Sequence, residues 1–324
     1  MSKAPQDESP PDGSDVAETS KPLPAVAWIG TGIMGAPMAG HLLAAGHPLV
    51  VHSRTRAKAA ALVDAGARWA GSAAEAVAAV GAEGFVGINV GLPDELEAAF
   101  FGAGGVLEAL VPGQVVIDFG TSRPSASRRI AGAAEARGAA ALDAPVSGGD
   151  VGARNAALSI MVGGAPEAVA RARPLLERLG KTIVHQGPAG SGQRTKIVNQ
   201  ILVAANTVAM CEAIHFARTA GLDAEKVLAS VGGGAAASWS ISVLAPRVLK
   251  GDFEPGFLVE HLVKDLRLAR EEGAELGELL PIVDLCLARY ERLSEAGHGR
   301  RGTQGMYLLY RDRLGSSSRV SRAP

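Results

Sequence analysis

The sequence predicts an α/β protein: a doubly wound parallel sheet in the first half and an all-helical second half. Three observations carry this. Short apolar runs alternate with helical patterns from Ala25 to His185, the first run ends in a glycine turn, and strand signals stop after Ala220. Such alternation is the pattern of a parallel sheet covered on both faces. A G-x-G-x-x-G turn carries meaning where a strand precedes it and a helix follows, and both conditions hold here.

Composition bounds the rest. With 324 residues, 47% of them hydrophobic, the chain can bury a large core, and two domains are expected. We place them at residues 25–188 and 189–314. Residues 1–24, rich in Pro, Ser, Asp and Glu, and residues 315–324 read as disordered tails. The first lacks the apolar stretch of a signal peptide and the arginines of a transit peptide. A net charge of −1 without a long basic run argues against nucleic acid and anionic membrane as partners. No apolar run reads as long and uninterrupted enough to span a bilayer. Cys211 and Cys286 fall in apolar helical patterns and read as buried thiols of a reducing compartment. A cytoplasmic protein is expected.

In chain order, the first strand is Ala25–Ile29, and it ends abruptly in Gly30-Thr31-Gly32-Ile33-Met34-Gly35. The first glycine permits a tight turn, the second lets a pyrophosphate approach the backbone, and the third lets helix pack on strand. The helix that follows, to about Ala45, offers free N–H groups and a positive dipole end to phosphates. A second strand, Pro48–His52, leads into Ser53-Arg54-Thr55-Arg56. An acidic residue in this region would bond the ribose of NAD, and none is present. Arg54, with Ser53 and Thr55, suits the 2′-phosphate of NADP instead; the plainer alternative is arginines that solvate a loop. NADP is the expected cofactor, with NAD second.

The alternation continues with a helix over Ala73–Val80 and a strand near Phe85–Val90, closed by the Gly91-Leu92-Pro93 loop. Val115–Asp118 is a strand ending in Phe119-Gly120-Thr121-Ser122, followed by a helix to about Arg137. Ala139–Leu142 leads to Asp143-Ala144-Pro145-Val146-Ser147-Gly148-Gly149. Strands Leu158–Val162 and Thr182–His185, with a helix from Pro166 to Leu179 between them, complete the Rossmann-type sheet. Ligands of such sheets sit beyond the carboxyl ends of the strands, where Gly30, Leu92, Thr121 and Ser147 all fall.

From Gln193 to about Ala220 there is neither proline nor glycine, and apolar residues occur almost all round the helical wheel. This reads as a long buried helix opened by a Gly190-Ser191-Gly192 turn. Lys196, Asn199 and Gln200 stand at i, i+3 and i+4, so they share a face, continued by Thr207. A lysine beside two amides on a buried helix has a specific partner or a specific task. By itself the stretch fits slightly better a lysine whose stem packs while its ammonium reaches solvent. Further on, Asp223–Val231 is a helix with Asp223 as its N-cap, and Gly232-Gly233-Gly234 breaks the pattern. Helices are expected over Ser238–Leu249, from the Phe253–Phe257 loop to about Glu275, and over Leu280–Ala296 and Gln304–Leu314. His261, Lys264 and Asp265 share another face, where the residues alone favour an ordinary surface ion pair for Lys264-Asp265. His261 reads as a packing or hydrogen-bonding residue, and Trp28, Trp69 and Trp239 as core or interface. The seven histidines show no metal-ligand spacing, and no metal is expected.

Four motifs in order, GTGIMGAPMAGHL, DFGTS, DAPVSGGDVGA and GSGQRTKIVNQ, together resemble the β-hydroxyacid dehydrogenases, over about Ala25 to Leu314. GGGAAAS, FEPGF and HLVKDL in the second half are most similar to the tartronate semialdehyde reductase branch. The resemblance implies an NAD(P)-dependent enzyme interconverting a small carboxylated semialdehyde and its hydroxyacid. It implies Lys196 as the catalytic lysine and Ser147, Gly148 and Gly149 as the loop holding the substrate carboxylate. Thr121 would lie near both nicotinamide and substrate, Phe257 would close the site, and Lys264 with Asp265 would form the cofactor-side pair. Departures stand at Gln200, where the family often has asparagine, at Gly120-Thr121 in place of Ser-Thr, and at Ala156-Ala157-Leu158 in place of Gly-Thr-Leu. These bear on the substrate and leave the reaction class standing.

The residues supply a chemical reason for these roles. Reducing an aldehyde puts negative charge on its oxygen, and a positioned ammonium can polarise that oxygen and donate its proton; a neutral lysine is the base in the reverse direction. Asn199 and Gln200 can orient the lysine or bond a substrate hydroxyl. Successive glycines after Ser147 can turn their N–H groups toward an anion. Three other readings share the first domain. An imine reductase of the same architecture and a cofactor-binding, non-catalytic relative both generally lack the lysine retained here. A 6-phosphogluconate dehydrogenase needs a longer helical domain. The apolar helices of the second half further suggest a homodimer or homotetramer.

Overall fold

The structure, a computed structural model, describes residues 22–311; the expected tail 315–324 and most of the expected tail 1–24 lie outside the described residues. Strands β1 (Val26–Ile29), β2 (Leu49–His52), β3 (Arg68–Trp69), β4 (Phe85–Ile88), β5 (Val115–Asp118) and β6 (Ala140–Asp143) pair in parallel in the order β3-β2-β1-β4-β5-β6. The sheet then continues through β7 (Val146–Ser147), β8 (Leu158–Gly163) and β9 (Gly180–Gly187).

The last two strands of this parallel-dominated sheet run the other way. Strand β8 runs antiparallel to both β6 and β7, and only β9 returns to parallel pairing, on β8. The link from β7 to β8 holds only the six-residue helix Gly149–Arg154. That is too little chain for a parallel crossover, which needs a dozen or more residues. The β8-to-β9 link carries helix Pro166–Leu176 and crosses over normally. Strands β3 and β7, two residues each, gave no periodic signal and were not expected.

Why the strands read as unbroken apolar runs is evident from their burial. Val26 and Trp28 pack into the core on one face of the sheet, with Met38, Leu42 and Leu176. Ala27 and Ile29, one residue out of phase, pack into the other with Val86, Leu96 and Phe100. A side-chain period of two puts neighbours on opposite faces, and both faces are covered. Full burial of a side chain such as Phe100 contributes roughly 1.5–3 kcal/mol.

Helix Ser191–Thr219 is the spine of the second half, packed against helices Val259–Glu275 and Pro281–Leu293 around Cys211, Ile214, Leu266, Leu287 and Tyr290. Both cysteines are buried free thiols, as expected. By length and composition this helix is apolar enough to cross a membrane, which corrects the expectation that no such run exists. Its buried face nevertheless carries Gln193, Lys196, Gln200 and Thr207, and helices of this kind also form the cores of folded domains.

Asp223 caps helix Ala224–Val231 as expected, accepting from the backbone N–H groups of Glu225 (3.0 Å) and Lys226 (3.3 Å). Two other helices differ. In place of one helix over Ser238–Leu249, a π-turn at Ser240–Leu244 leads into a short helix, Ala245–Leu249. Pro246 removes the N–H that regular helix would use there. The expected Gln304–Leu314 helix begins as a tight 3₁₀ turn, Thr303–Tyr307, and is helical over 308–311; its last three residues lie outside the described residues. Trp28 is core, whereas Trp239 is 61% exposed.

Candidate functional site

The glycine turn joins β1 to helix Gly35–Ala44, and the Gly30 N–H donates to His52 O on β2 (2.9 Å). Gly30 has φ +98°, and a side chain there would collide with the Asn89 carbonyl; one at Gly35 would strike the Gly30 carbonyl. Gly32 differs, because nothing lies within 4 Å of the place a Cβ would take. Thr31 is buried with its hydroxyl unpartnered, and no side chain caps the helix start at Met34. Ile33 is exposed beside it. Open backbone, an unpaired buried hydroxyl and uncapped N–H groups fit a pyrophosphate.

At the end of β2, Ser53 is half-buried and Thr55 exposed. Arg54 is mostly exposed and pairs with Glu95, whose other oxygen accepts from the Gly91 N–H (3.0 Å). Leu92, exposed, and Pro93 begin the helix that carries Glu95. The loop over 91–93 and the β2 end are thereby brought together. The arginine expected to be free for a 2′-phosphate is held by a carboxylate in an exposed, low-cost pair.

On the other side of the sheet's carboxyl edge stands Lys196, only 7% exposed. Its ammonium donates to the Val146 carbonyl (2.9 Å), one residue before Ser147. The solvent-reaching alternative for this lysine is thereby excluded. Burial pushes its pKa down to about 8, with the Asp265 carboxylate opposing that shift and the Lys264 ammonium adding to it. A hydrogen-bonded chain runs alongside: Asn199 donates to Gln200 (2.7 Å), and Gln200 donates to Asp265. Asp265 lies 2.7 Å from the Lys264 ammonium, which donates to the Thr121 carbonyl (2.9 Å). Lys264-Asp265 is therefore not the surface pair that its residues alone suggested, being 16% and 2% exposed.

Ser147 lies in β7, in register with Ser159 of β8, rather than in the loop where it was expected. Gly148 (φ +131°) and Gly149 (φ +62°) make the turn beyond it, a conformation that favours glycine. The helical half meets this turn closely. A Cβ on Gly149 would lie 3.8 Å from Gly256 O, and one on Gly256 would lie 3.4 Å from Asp150 Oδ1. Phe257 follows, its ring 6.2 Å from that of His261 and its carbonyl accepting from the Thr303 N–H (3.0 Å). Burial, then Lys264, lowers the His261 pKa. Among the described residues, no group of three or more His, Cys, Asp or Glu is placed to hold a metal.

Asp118, Asp143 and Gln193, to which the motifs assigned no role, lie buried behind this site. Asp143 accepts from the Gly190 and Gln193 N–H groups (2.7 and 2.8 Å), tying the start of the long helix to the end of β6. Burial holds the Asp118 carboxyl at about 6, despite the Gly120 N–H that it accepts, and neighbouring Asp143 adds to the rise. A carboxylate closing an otherwise apolar buried strand was the signal available for both.

Comparison with known proteins identifies the family. Residues 25–187 match the family model described as the NAD binding domain of 6-phosphogluconate dehydrogenase. Residues 190–310 match that described as the NAD-binding of NADP-dependent 3-hydroxyisobutyrate dehydrogenase. An uncharacterised oxidoreductase of Bacillus subtilis, YkwC, is 45% identical over 88% of this chain and 98% of its own length. The 2-hydroxy-3-oxopropionate reductase of Escherichia coli is 38% identical over 81% of this chain and 88% of its own. The solved structure of Mycobacterium tuberculosis 3-hydroxyisobutyrate dehydrogenase with L-serine superposes with a TM-score of 0.81 at 31% identity, covering 89% of this chain and 99% of that one. With a glycine cradle open to a dinucleotide and the matched lengths covering nearly all the described residues, this chain belongs to the β-hydroxyacid dehydrogenase family of NAD(P)-dependent oxidoreductases.

Proposed function

We propose that this protein interconverts a small carboxylated semialdehyde and its hydroxyacid, with residues 25–188 binding the cofactor and 189–314 completing the substrate site. The observation that carries this is the buried Lys196 ammonium, bonded beside Ser147 at the carboxyl edge of the sheet. Bound NADPH or NADH supplies the hydride. Thr31 and the backbone at Gly30, Gly32, Ile33, Met34 and Gly35 take the pyrophosphate, while Leu92, Pro93, Thr121, Lys264 and Asp265 lie toward the nicotinamide. Ser147, Gly148 and Gly149 hold the substrate carboxylate, and Phe257 covers it. Lys196 gives its proton to the carbonyl oxygen on reduction and accepts one on oxidation. Asn199 and Gln200, linked to Asp265, hold its surroundings in place and offer an amide to the substrate's hydroxyl.

A panel of tartronate, methylmalonate and succinic semialdehydes and glyoxylate, with the hydroxyacids 3-hydroxyisobutyrate and L-serine, each with both cofactors, tests this reading. Turnover of at least one is expected; turnover of none removes the proposal. The 38% identity to a 2-hydroxy-3-oxopropionate reductase supports tartronate semialdehyde as the first member to examine.

NADP is the cofactor we favour, because Ser53, Arg54 and Thr55 end β2 with no carboxylate among them. Charge reversal in Arg54→Asp should weaken NADPH binding at least about tenfold while leaving NADH nearly unchanged. Fluorescence titration with the two cofactors measures this, and equal losses would mean that Arg54 serves only its pair with Glu95.

The same reading includes a homo-oligomer in the cytoplasm. Val198, Leu202 and Phe216 on the long helix, with Leu279 and Ile282 beyond it, are exposed apolar residues of the helical half. A sedimentation-equilibrium mass of two or four chains is expected, and a mass of one chain would exclude the assembly.

A further inference from the structure

The buried amide of Gln193 spans two parts of the site. Its Oε1 accepts from the Ser122 N–H (3.0 Å), and its Nε2 donates to the Gly120 carbonyl (2.9 Å). These two bonds grip the backbone on either side of Thr121, whose own carbonyl receives the Lys264 ammonium. Gln193 is fully buried and stands three residues before Lys196, on the same side of the long helix. Its backbone is fixed in turn, because its N–H donates to Asp143. Gly192 beside it has no room for a side chain against the Met161 and Asp143 carbonyls.

We propose that Gln193 is a positioning residue: its carboxamide sets the Thr121 turn, and through it Lys264, against the helix that bears Lys196. The proposal rests on the reading of Lys196 as the proton donor. An amide suits this place because the two flanking backbone groups require one donor and one acceptor. A carboxylate has no donor, and here it would stand among the carboxyls of Asp118 on β5 and Asp143 on β6. Asp118 is within reach of the same side chain, its Oδ2 3.4 Å from the Gln193 Nε2. Lys264 on helix Val259–Glu275 acts on Asp118, Arg128 approaches Gly190, and Lys196 stands one turn along the same helix; Arg123 and Arg194, flanking Ser122 and Gln193 in the chain, pair with Glu271 and Glu272.

Two variants of the full chain test it. Gln193→Met keeps length and bulk but loses both bonds, so kcat should fall about 10²-fold at every pH, as expected for misplaced reacting groups. The substrate KM should stay near that of the wild type, since the carboxylate loop is untouched. Gln193→Glu behaves differently with pH. When protonated, its carboxyl offers an O–H donor and a carbonyl acceptor, as the amide does. Burial and two neighbouring carboxyls favour that neutral form. Reduction should then recover to within a few fold of wild type at low pH. It should fail as pH rises, at a lower pH than the wild-type limb set by Lys196.

A Gln193→Met enzyme with wild-type kcat would overturn the proposal. So would a Gln193→Glu profile that superimposes on the wild type, or one as low as that of Gln193→Met at every pH. If the wild type turns over nothing in the panel, the functional reading fails separately, and amide exchange decides this inference. Gln193→Met should then speed exchange at Ser122 at least about tenfold while leaving Trp28 and Val51 protected. Unchanged exchange at Ser122 would refute the clamp.

Discussion

Lys196→Ala is expected to lower kcat for semialdehyde reduction by about 10²–10³-fold, the usual cost of removing one positioned donor from a reacting oxygen. Among the described residues, neither Lys264 nor His261 is placed to replace it. Lys264 is engaged by the Thr121 carbonyl and Asp265, and the His261 pKa is lowered by burial, which leaves it a poor proton donor. Cofactor affinity should change little, because the glycine cradle lies on β1 and the lysine on the long helix. The wild type should also show the lysine's titration. Its pKa is depressed to about 8, so the protonated acid needed for reduction is present below that pH and is lost as pH rises through it. Oxidation of the hydroxyacid, which needs the neutral amine, should rise over the same interval. Steady-state rates in both directions between about pH 6 and 10 measure this. Undiminished turnover in Lys196→Ala, or pH profiles of the same sign in both directions, would remove Lys196 from the reaction.

Gly32→Ala should separate folding from cofactor binding. Its Cβ would meet nothing within 4 Å, and its backbone is not in the left-handed region, so the folded protein should lose less than about 1 kcal/mol. Pyrophosphate bound close to that backbone would meet the added methyl. Overpacking of this kind costs about 1–3 kcal/mol, equivalent to roughly 5- to 150-fold in Kd. Gly35→Ala is the contrast: its side chain would strike the Gly30 carbonyl, so it should lower Tm and bind poorly for that reason. Thermal melts beside fluorescence titrations distinguish the two. A Gly32→Ala protein that binds NADPH as the wild type does would show that the dinucleotide does not pass over this turn.

Much of the candidate site could be read from the sequence because its parts rest on local pattern. The glycine turn is six consecutive residues between a strand and a helix. Lys196, Asn199 and Gln200 are one helical face, and Ser147-Gly148-Gly149 is a strand end with the turn just beyond it. The Gln193 clamp was not legible in this way. Its partners lie 71 and 73 residues away in sequence, at Ser122 and Gly120. Nothing in the local sequence distinguishes a glutamine gripping a distant turn from one at a helix start. Arg54 shows the other limit of locality: its spacing from the glycines suits a phosphate, while its partner Glu95 stands 41 residues on, in helix Pro93–Phe101.

By itself the sequence determined the alternation of strands and helices, the glycine turn, the buried long helix and the family that four ordered motifs implied. Each depends on residues close in the chain, where periodicity and turn chemistry act directly. Only the tertiary structure decided that β8 runs antiparallel, that Lys264-Asp265 is buried, and that Lys196 ends on the Val146 carbonyl. It alone brought Asp118, Asp143 and Gln193 together behind the site. The reason is that a buried polar group must find its partner wherever the fold places one, and desolvation enforces that match across any separation in sequence.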